Sequence, residues 1–294
     1  MKVLVLGASG QVGHELRRSL APMGEIVAAT RSGALPDGGS CEVADFDQLD
    51  SLAGLVERIA PAAVINAAAY TSVDKAEDDV EAAFRVNADA PGMLARSCAL
   101  RGIPFIHYST DYVFDGQGSQ PYREGDPTAP LGVYGTSKLA GEDAVRAAGG
   151  RHLILRTAWA YGQHGHNFMK TMLRVGRERE ELHVVADQFG TPTPATLIAD
   201  VTRDLLDLHD VEGTFHLTAS GQTTWHEFAE AIFDEAMALG LIARVPRVLP
   251  VATADYPTRA RRPAYSCLDI GKLEARLGRR LPGWREGLSA VLHG

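Results

Sequence analysis

Cysteine is scarce. The 294-residue chain holds three, Cys41, Cys98 and Cys267, odd in number and scattered, without the spacing of a disulfide framework or a metal site. They read as reduced thiols in packing positions. Cationic residues are outnumbered, 29 against 37 acidic, and the formal charge of −8 argues against the broad basic surface of a nucleic-acid binder. An anionic small ligand must then be gripped by local cations. Long apolar runs are missing too: the N-terminal run stops at Gly7, and the alanine-rich stretch from Ala62 to Tyr70 is too short to span a bilayer. Neither a leader nor a membrane partner is expected, and the chain reads as soluble and cytoplasmic. There is no repeat or low-complexity tract. What is present, 45% hydrophobic residues over 294 positions, can bury a large core in one big domain or two fused lobes.

The most informative stretch is Val133-Tyr134-Gly135-Thr136-Ser137-Lys138, with Ser109-Thr110-Asp111-Tyr112 upstream. Together they assemble a phenol, an ammonium and a hydroxyl, groups able to protonate a carbonyl that receives a hydride. Tyr134 and Lys138 stand four residues apart, which at helical spacing puts them on one face. A nearby cation is expected to stabilise the phenolate and lower the tyrosine pKa, easing proton transfer. Such a pair occurs by chance in many helices, so its weight depends on its company.

That company is at the other end of the chain. An apolar strand, Lys2 to Leu6, runs into Gly7-Ala8-Ser9-Gly10-Gln11-Val12-Gly13 and then into a helical pattern. Strand, glycine turn and helix make a dinucleotide site. Gly7 permits the tight turn, Gly10 lets the backbone approach a pyrophosphate, Gly13 allows close helix–strand packing, and the helix aims its first amides at the anion.

Read onward, strands are expected at 25–30, a short one ending near Asp45, then 63–66, 104–108 and 152–156, the last closing the series. Helices are expected at 48–59, along Val80 to Leu100, and around Tyr134 and Lys138. This alternation predicts an α/β fold of Rossmann type, a doubly wound parallel sheet with ligands at the carboxyl ends of its strands. Asp45, Ala67, Ala68, Ala69 and the run from Ser109 to Asp111 lie just past such ends and should line one crevice. Past Trp159 the alternation weakens. Helical patterns at 168–178, 197–209 and 224–239 are separated by proline-bearing loops, which suits a smaller, discontinuous C-terminal substrate-binding lobe. The expected division is 1–158 for the dinucleotide domain, with returning segments from about 187–215, and 159–294 mainly for the substrate lobe.

The residues also carry a resemblance. Gly7-x-x-Gly10-x-x-Gly13, Asn66-Ala67-Ala68-Ala69-Tyr70-Thr71-x-Val73-Asp74-x-Ala76-Glu77, Tyr108-Ser109-Thr110-Asp111-Tyr112-Val113-Phe114, Tyr134-x-x-x-Lys138-x-x-x-Glu142 and Asp187-Gln188-x-Gly190-x-Pro192-Thr193 together resemble the extended short-chain dehydrogenase/reductases. The match runs over nearly the whole chain, and within the family it favours reductases of keto-sugar nucleotides. The resemblance implies reduction of the C4 ketone of a dTDP-linked deoxysugar by NAD(P)H. Tyr134 would supply the proton, Lys138 would bind the nicotinamide ribose and bias Tyr134, and Thr110 would hold the ketone oxygen. Gly7, Gly10, Gln11, Val12, Gly13, Arg31, Asp45, Phe46, Ala67, Ala68, Ala69 and Tyr108 would join Tyr134 and Lys138 around the cofactor. Thr110, Asp111, Trp159 and Arg262 would contact the substrate, Arg262 from the cationic cluster with Arg259 and Arg261.

Several choices hang on single positions. Related dehydratases carry an acidic pair after the threonine; here the second acid is replaced by Tyr112, which favours simple reduction. Arg31, just after the second strand, could grip a 2′-phosphate, so NADPH is preferred with NADH as second choice. Family members tend to show Arg-Pro-x-Asn-Ser where this chain has Tyr265 for the asparagine. Some such reductases hold magnesium through carboxylates at a dimer contact. Glu15 fits one position, but Thr196 stands where another carboxylate belongs, so no metal is assigned and a homodimer stays open. His164-Gly165-His166 lacks a third ligand that sequence can place and reads as a solvent-facing loop. The alternatives are another keto-sugar nucleotide reductase or epimerase, or a non-catalytic dinucleotide-binding subunit resembling the regulatory subunit of methionine adenosyltransferase.

Overall fold

The computed structural model describes residues 1–208 and 210–294. Its first half runs β1 (Lys2–Leu6), α1 (Gln11–Leu20), β2 (Glu25–Thr30), β3 (Glu42–Val43), α2 (Leu49–Ile59), β4 (Ala63–Asn66), α3 (Val73–Ala76), α4 (Val80–Phe84), α5 (Ala90–Ala99), β5 (Phe105–Thr110), α6 (Val133–Ala147) and β6 (His152–Thr157). The second half runs β7 (Ala160–Tyr161), α7 (Phe168–Glu178), β8 (Glu181–Val185), β9 (Phe189–Gly190), β10 (Thr193–Pro194), α8 (Ala195–Asp207), β11 (Gly213–His216), β12 (Thr223–Thr224), α9 (Trp225–Ala238), β13 (Arg247–Val251), α10 (Gly271–Leu277) and α11 (Trp284–His293).

Seven strands form one parallel sheet in the order β11-β6-β5-β4-β1-β2-β3. Strands β4 and β5 are buried along their whole length, as a sheet covered on both faces requires. One core lies between the sheet and α1 and α8, around Leu16, Leu20, Ile198 and Val201; the other lies under α2 and α5, around Leu52, Leu55, Leu94 and Phe105. Strand order reverses between β1 and β4, and that switch point opens the crevice.

Three expectations change. Strand β5 continues through Ser109 and Thr110 instead of stopping at Tyr108, because β6 pairs with it as far as Thr110 to Thr157. Strand β6 does not close the sheet: β11 returns from the second half and pairs parallel to it. The long helix over 80–100 is interrupted by a wide turn with π geometry at Arg85–Asp89, which carries the buried Asn87.

The helical pattern expected over 197–209 forms as α8, and His209 lies outside the described residues. The pattern at 224–239 forms as α9, capped reciprocally by Thr224, whose hydroxyl accepts from the Glu227 amide, and by Glu227, whose carboxylate accepts from the Thr224 amide. The remaining second-half strands pair in short ladders, β7 with β10, β9 with β12 and β8 with β13. Phe228, Ile232, Trp284 and Leu288 fill a separate core there. A fully buried side chain of this size is worth about 1.5–3 kcal/mol, so such short ladders are held by packing more than by pairing. Among the described residues no helix is long and apolar enough to cross a membrane.

Candidate active site

The turn after β1 is shaped by what its glycines exclude. Gly7 takes a positive φ of 74°, and a Cβ there would lie 2.5 Å from the Ala68 amide nitrogen. A Cβ on Gly13 would lie 2.1 Å from the Gly7 carbonyl oxygen, so the helix rests directly on the turn. A Cβ on Gly10 would meet only that same oxygen, at 3.3 Å, leaving its backbone open. Gly10 is also the N-cap of α1, and no side chain caps the helix. The amides of Gln11, Val12 and Gly13, which have no intrahelical acceptor, stay available to a diphosphate. This donor set fits a dinucleotide.

Around the turn, Ala67, Ala68 and Ala69 follow β4, with the Ala68 amide donating to Asn66 Oδ1 at 3.1 Å. The Gln11 side chain ties α1 to the second half, its Nε2 donating to the Ala160 carbonyl at 3.0 Å and its Oε1 accepting from Asn167 at 3.3 Å. Arg31 leaves the end of β2 into solvent and has no side-chain partner among the described residues. Asp45 lies half-buried past β3, where its Oδ1 accepts from the Asp47 amide. Phe46 is buried and belongs to the core that also holds Leu52 and Leu94.

The chemical groups meet at the end of β5. The Thr110 hydroxyl donates to Asp111 Oδ1 at 2.9 Å and accepts from the Tyr112 amide at 3.2 Å. It also contacts the Tyr134 phenol, which stands edge-on to Tyr112 with ring centroids 5.5 Å apart. One turn along α6, Lys138 is buried and donates from Nζ to the Tyr108 carbonyl at 2.6 Å. The Tyr108 side chain points to the other face, to Thr202 at 2.6 Å.

The expected lowering of the tyrosine pKa does not occur. Burial pushes Tyr134 up to about 12, the Thr110 hydroxyl pulling back and the Asp111 charge adding to the rise. Burial also pulls Lys138 down to about 8, opposed by Glu142. The lysine acts on the backbone of β5, and spacing alone cannot reveal how much burial weighs against charge. Asp111 is raised to about 6, chiefly by burial, with the Ser266 and Thr110 hydroxyls pulling back.

Several supporting residues escaped the sequence reading. Glu142 accepts both Arg156 nitrogens, at 2.8 and 2.7 Å, and also Arg146 at 2.6 Å, locking α6 to β6. Glu77 accepts from the Val133 amide at 2.8 Å and so caps α6 just before Tyr134. Asn87 clasps the Tyr70 backbone through Oδ1 and Nδ2 and donates to Ser137 at 3.0 Å, joining the loop after β4 to α6. Glu77 and Glu142 stand in the quoted motifs, which signal their presence without their partners. A polar Asn87 within an apolar helical stretch was the available clue to the third.

Of the residues expected to contact substrate, Arg262 is paired with Asp74 through two hydrogen bonds, at 3.2 and 2.6 Å; its neighbour Arg259 is paired with Asp78. Arg261 is exposed. Trp159 has a left-handed backbone, φ 45°, and stacks face to face on Trp225 at 3.5 Å. Its indole covers Gly190, where a Cβ would lie 2.4 Å from the ring. That motif glycine is therefore room for a tryptophan. Magnesium does not fit at Glu15: the carboxylate accepts from Arg18 at 2.8 Å, and the donors beside it are the imidazoles of His14 and His164. A small hard cation wants oxygen ligands.

A glycine turn at the switch point of a parallel sheet, with threonine, tyrosine and lysine gathered at the end of β5, defines an extended short-chain dehydrogenase/reductase. All of residues 1–294 match the family described as RmlD substrate binding domain, and the chain belongs to that family. It is 48% identical to the dTDP-4-dehydrorhamnose reductase of Burkholderia thailandensis, over 97% of this chain and 96% of the relative. It is 45% identical to that of Escherichia coli K12, over 100% and 97%. The crystal structure of dTDP-4-dehydrorhamnose reductase from Bacillus anthracis in complex with NADP superposes with a TM-score of 0.90 at 35% identity, covering 99% and 98% of the two chains.

Proposed function

We propose that this protein reduces the C4 ketone of dTDP-4-dehydro-6-deoxy-L-mannose (dTDP-4-dehydro-L-rhamnose) to dTDP-L-rhamnose, the last step of dTDP-L-rhamnose synthesis. Beyond family membership, one observation carries the reading: the Thr110 and Tyr134 hydroxyls meet at the end of β5, one helical turn from a buried ammonium. Bound NADPH supplies the hydride. As the carbonyl electron pair moves onto oxygen, Tyr134 gives that oxygen its proton, and the C4 ketone becomes a secondary alcohol. A phenol with its pKa near 12 keeps its proton through neutral pH and so enters the step as an acid. Thr110 orients the ketone oxygen. Lys138, still mostly charged at neutral pH, turns its free donors to the nicotinamide ribose.

Gly7, Gly10, Gln11, Val12 and Gly13 hold the diphosphate of the dinucleotide, and Ala67, Ala68 and Ala69, with the backbone of Tyr108, line its path across the strand ends. Arg31, free in solvent, takes the 2′-phosphate, which favours NADPH with NADH as the weaker cofactor. Asp45 accepts from the adenine end, with Phe46 supporting from the core. Asp111 and Trp159 border the sugar. Arg262 uses the guanidinium donors left by Asp74 for the substrate diphosphate. Residues 1–158 form the dinucleotide part, rejoined by α8 and β11 from the returning segment, and 159–294 supply mainly the substrate part.

The test is turnover. Purified protein given NADPH and dTDP-4-dehydro-L-rhamnose should oxidise the cofactor and yield a product heavier by two hydrogens with the rhamno configuration. Tight NADPH binding with no turnover on any of a panel of keto-sugar nucleotides would overturn the reading in favour of a non-catalytic dinucleotide-binding subunit.

A further inference from the structure

Away from the crevice chemistry, two histidines and a glutamate far apart in sequence converge. His14 and Glu15 lie on α1; His164 lies on the loop between β7 and α7. One donor atom from each lies within 4.8 Å of the other two. The two imidazoles face each other, with centroids 3.6 Å apart and planes tilted by 32°. Glu15 is only 8% exposed, and Arg18 donates to one of its oxygens at 2.8 Å, orienting the carboxylate, while the other oxygen has no hydrogen bond among the described residues. His166, the other histidine of that loop, is not part of the cluster.

We propose that His14, Glu15 and His164 form an intrachain site for a late first-row divalent cation, Zn2+ or its Ni2+, Co2+ and Cu2+ neighbours. Two imidazole nitrogens and one carboxylate oxygen with an open position are the donor set such ions take, and one that Mg2+ does not. In a tetrahedral site with bonds of about 2.0–2.1 Å the donors lie roughly 3.4 Å apart. Closing from 4.8 Å asks each atom to move by about an ångström or less, within reach of a side-chain rotation. The exposed His164 can make that move, since among the described residues the contact it shows is with the His14 ring.

The position gives the ion a role. Gln11, one turn before Glu15, already hydrogen-bonds the Ala160 carbonyl and Asn167, the residue that caps α7. A metal on His14 and His164 adds a second strap between the dinucleotide helix and the substrate lobe. It would stabilise the junction of the two by binding only the folded chain.

Tag-free, chelator-stripped full-length protein should be titrated calorimetrically with ZnCl2, CoCl2 and MgCl2, with thermal midpoints read alongside. The expected result is one Zn2+ or Co2+ per chain, a raised midpoint, and the intense visible absorption of low-symmetry Co2+, with no such response to Mg2+. His164→Asn should weaken Zn2+ binding by roughly tenfold or more, since removing a direct ligand exceeds the loss of an outer partner. Its circular dichroism and NADPH affinity should match the parent, which separates lost metal from lost fold. Unchanged Zn2+ affinity in His164→Asn, no binding by the parent, or a preference for Mg2+ would each overturn the site. None of these outcomes bears on the reductase reading.

Discussion

The glycine turn of the crevice, Gly7 to Gly13, is one uninterrupted run of chain shaped by the side chains its glycines lack. The cluster facing it is assembled from β5, α6, the turn after β6 and the loop around residue 262, and it is built from polar and aromatic side chains. Each member of the second set has a partner within the protein: Thr110 has Asp111, Lys138 the Tyr108 carbonyl, Arg262 Asp74, and Trp159 Trp225. Backbone amides at a helix start need no rearrangement to receive an anion. The donors and rings of the second cluster are held in place by these partners, so a change to one is passed to its neighbours. The glycine turn should thus be tolerant of changes across the crevice, whereas each change in the second cluster should be felt in chemistry or stability.

The sharpest way to break that contrast is Tyr134→Phe. Removing the phenolic proton should lower kcat by about 10²–10⁴, the usual worth of a positioned general acid, while NADPH affinity stays within a factor of two or so. Steady-state kinetics paired with a fluorescence titration of NADPH reads both. A comparable fall in cofactor affinity would mean that the two sides are one unit.

Asp111 offers a smaller effect and a pH signature. Its carboxyl is raised to about 6 by burial, which outweighs the opposing Ser266 and Thr110 hydroxyls. Because its folded pKa exceeds the unfolded one, the native state binds the proton more tightly. The stability linked to that proton is fully present below about pH 4 and is lost as pH rises through 6. At neutral pH the buried charge therefore costs on the order of 2–3 kcal/mol, at 1.36 kcal/mol per unit. Asp111→Asn should raise the thermal midpoint at pH 7.5 by several degrees, a gain that shrinks towards pH 4.5. A gain equal at both pH values would show that the charge of Asp111 is not what strains this side.

The same contrast explains what could be read from the sequence. The glycine turn was legible because its logic is local: spacing, a strand before and a helix after. Thr110, Tyr134 and Lys138 were legible as a set through their motifs, and the helix spacing of the last two is real. The sign of the tyrosine shift was not, because it depends on how deeply α6 packs, and that depth is set by Glu142 with Arg156 and by Asn87 with Tyr70. Strand β11 escaped notice because its pairing partner β6 ends more than fifty residues earlier, and α10 and α11 because both are short and lie among proline- and glycine-bearing loops. The pairing of His14 with His164 is longer in range still, across 150 positions. In each case the missing information was a contact between segments, which periodicity within a segment does not contain.

The smallest predicted effect falls on the dinucleotide side. Arg31 is exposed just past the end of β2, and among the described residues no hydrogen bond or ion pair would be lost with it. Arg31→Ala should leave the melting profile and kcat untouched and weaken NADPH by roughly tenfold, about one charge-assisted contact to a phosphate. NADH affinity should not change, since NADH lacks the 2′-phosphate. Parallel titrations of both cofactors decide the matter: equal losses would remove Arg31 as the reader of that phosphate and leave the cofactor preference to groups nearer Asp45. A change in kcat would do more damage, because it would couple an open loop on one side of the crevice to the self-satisfied cluster on the other.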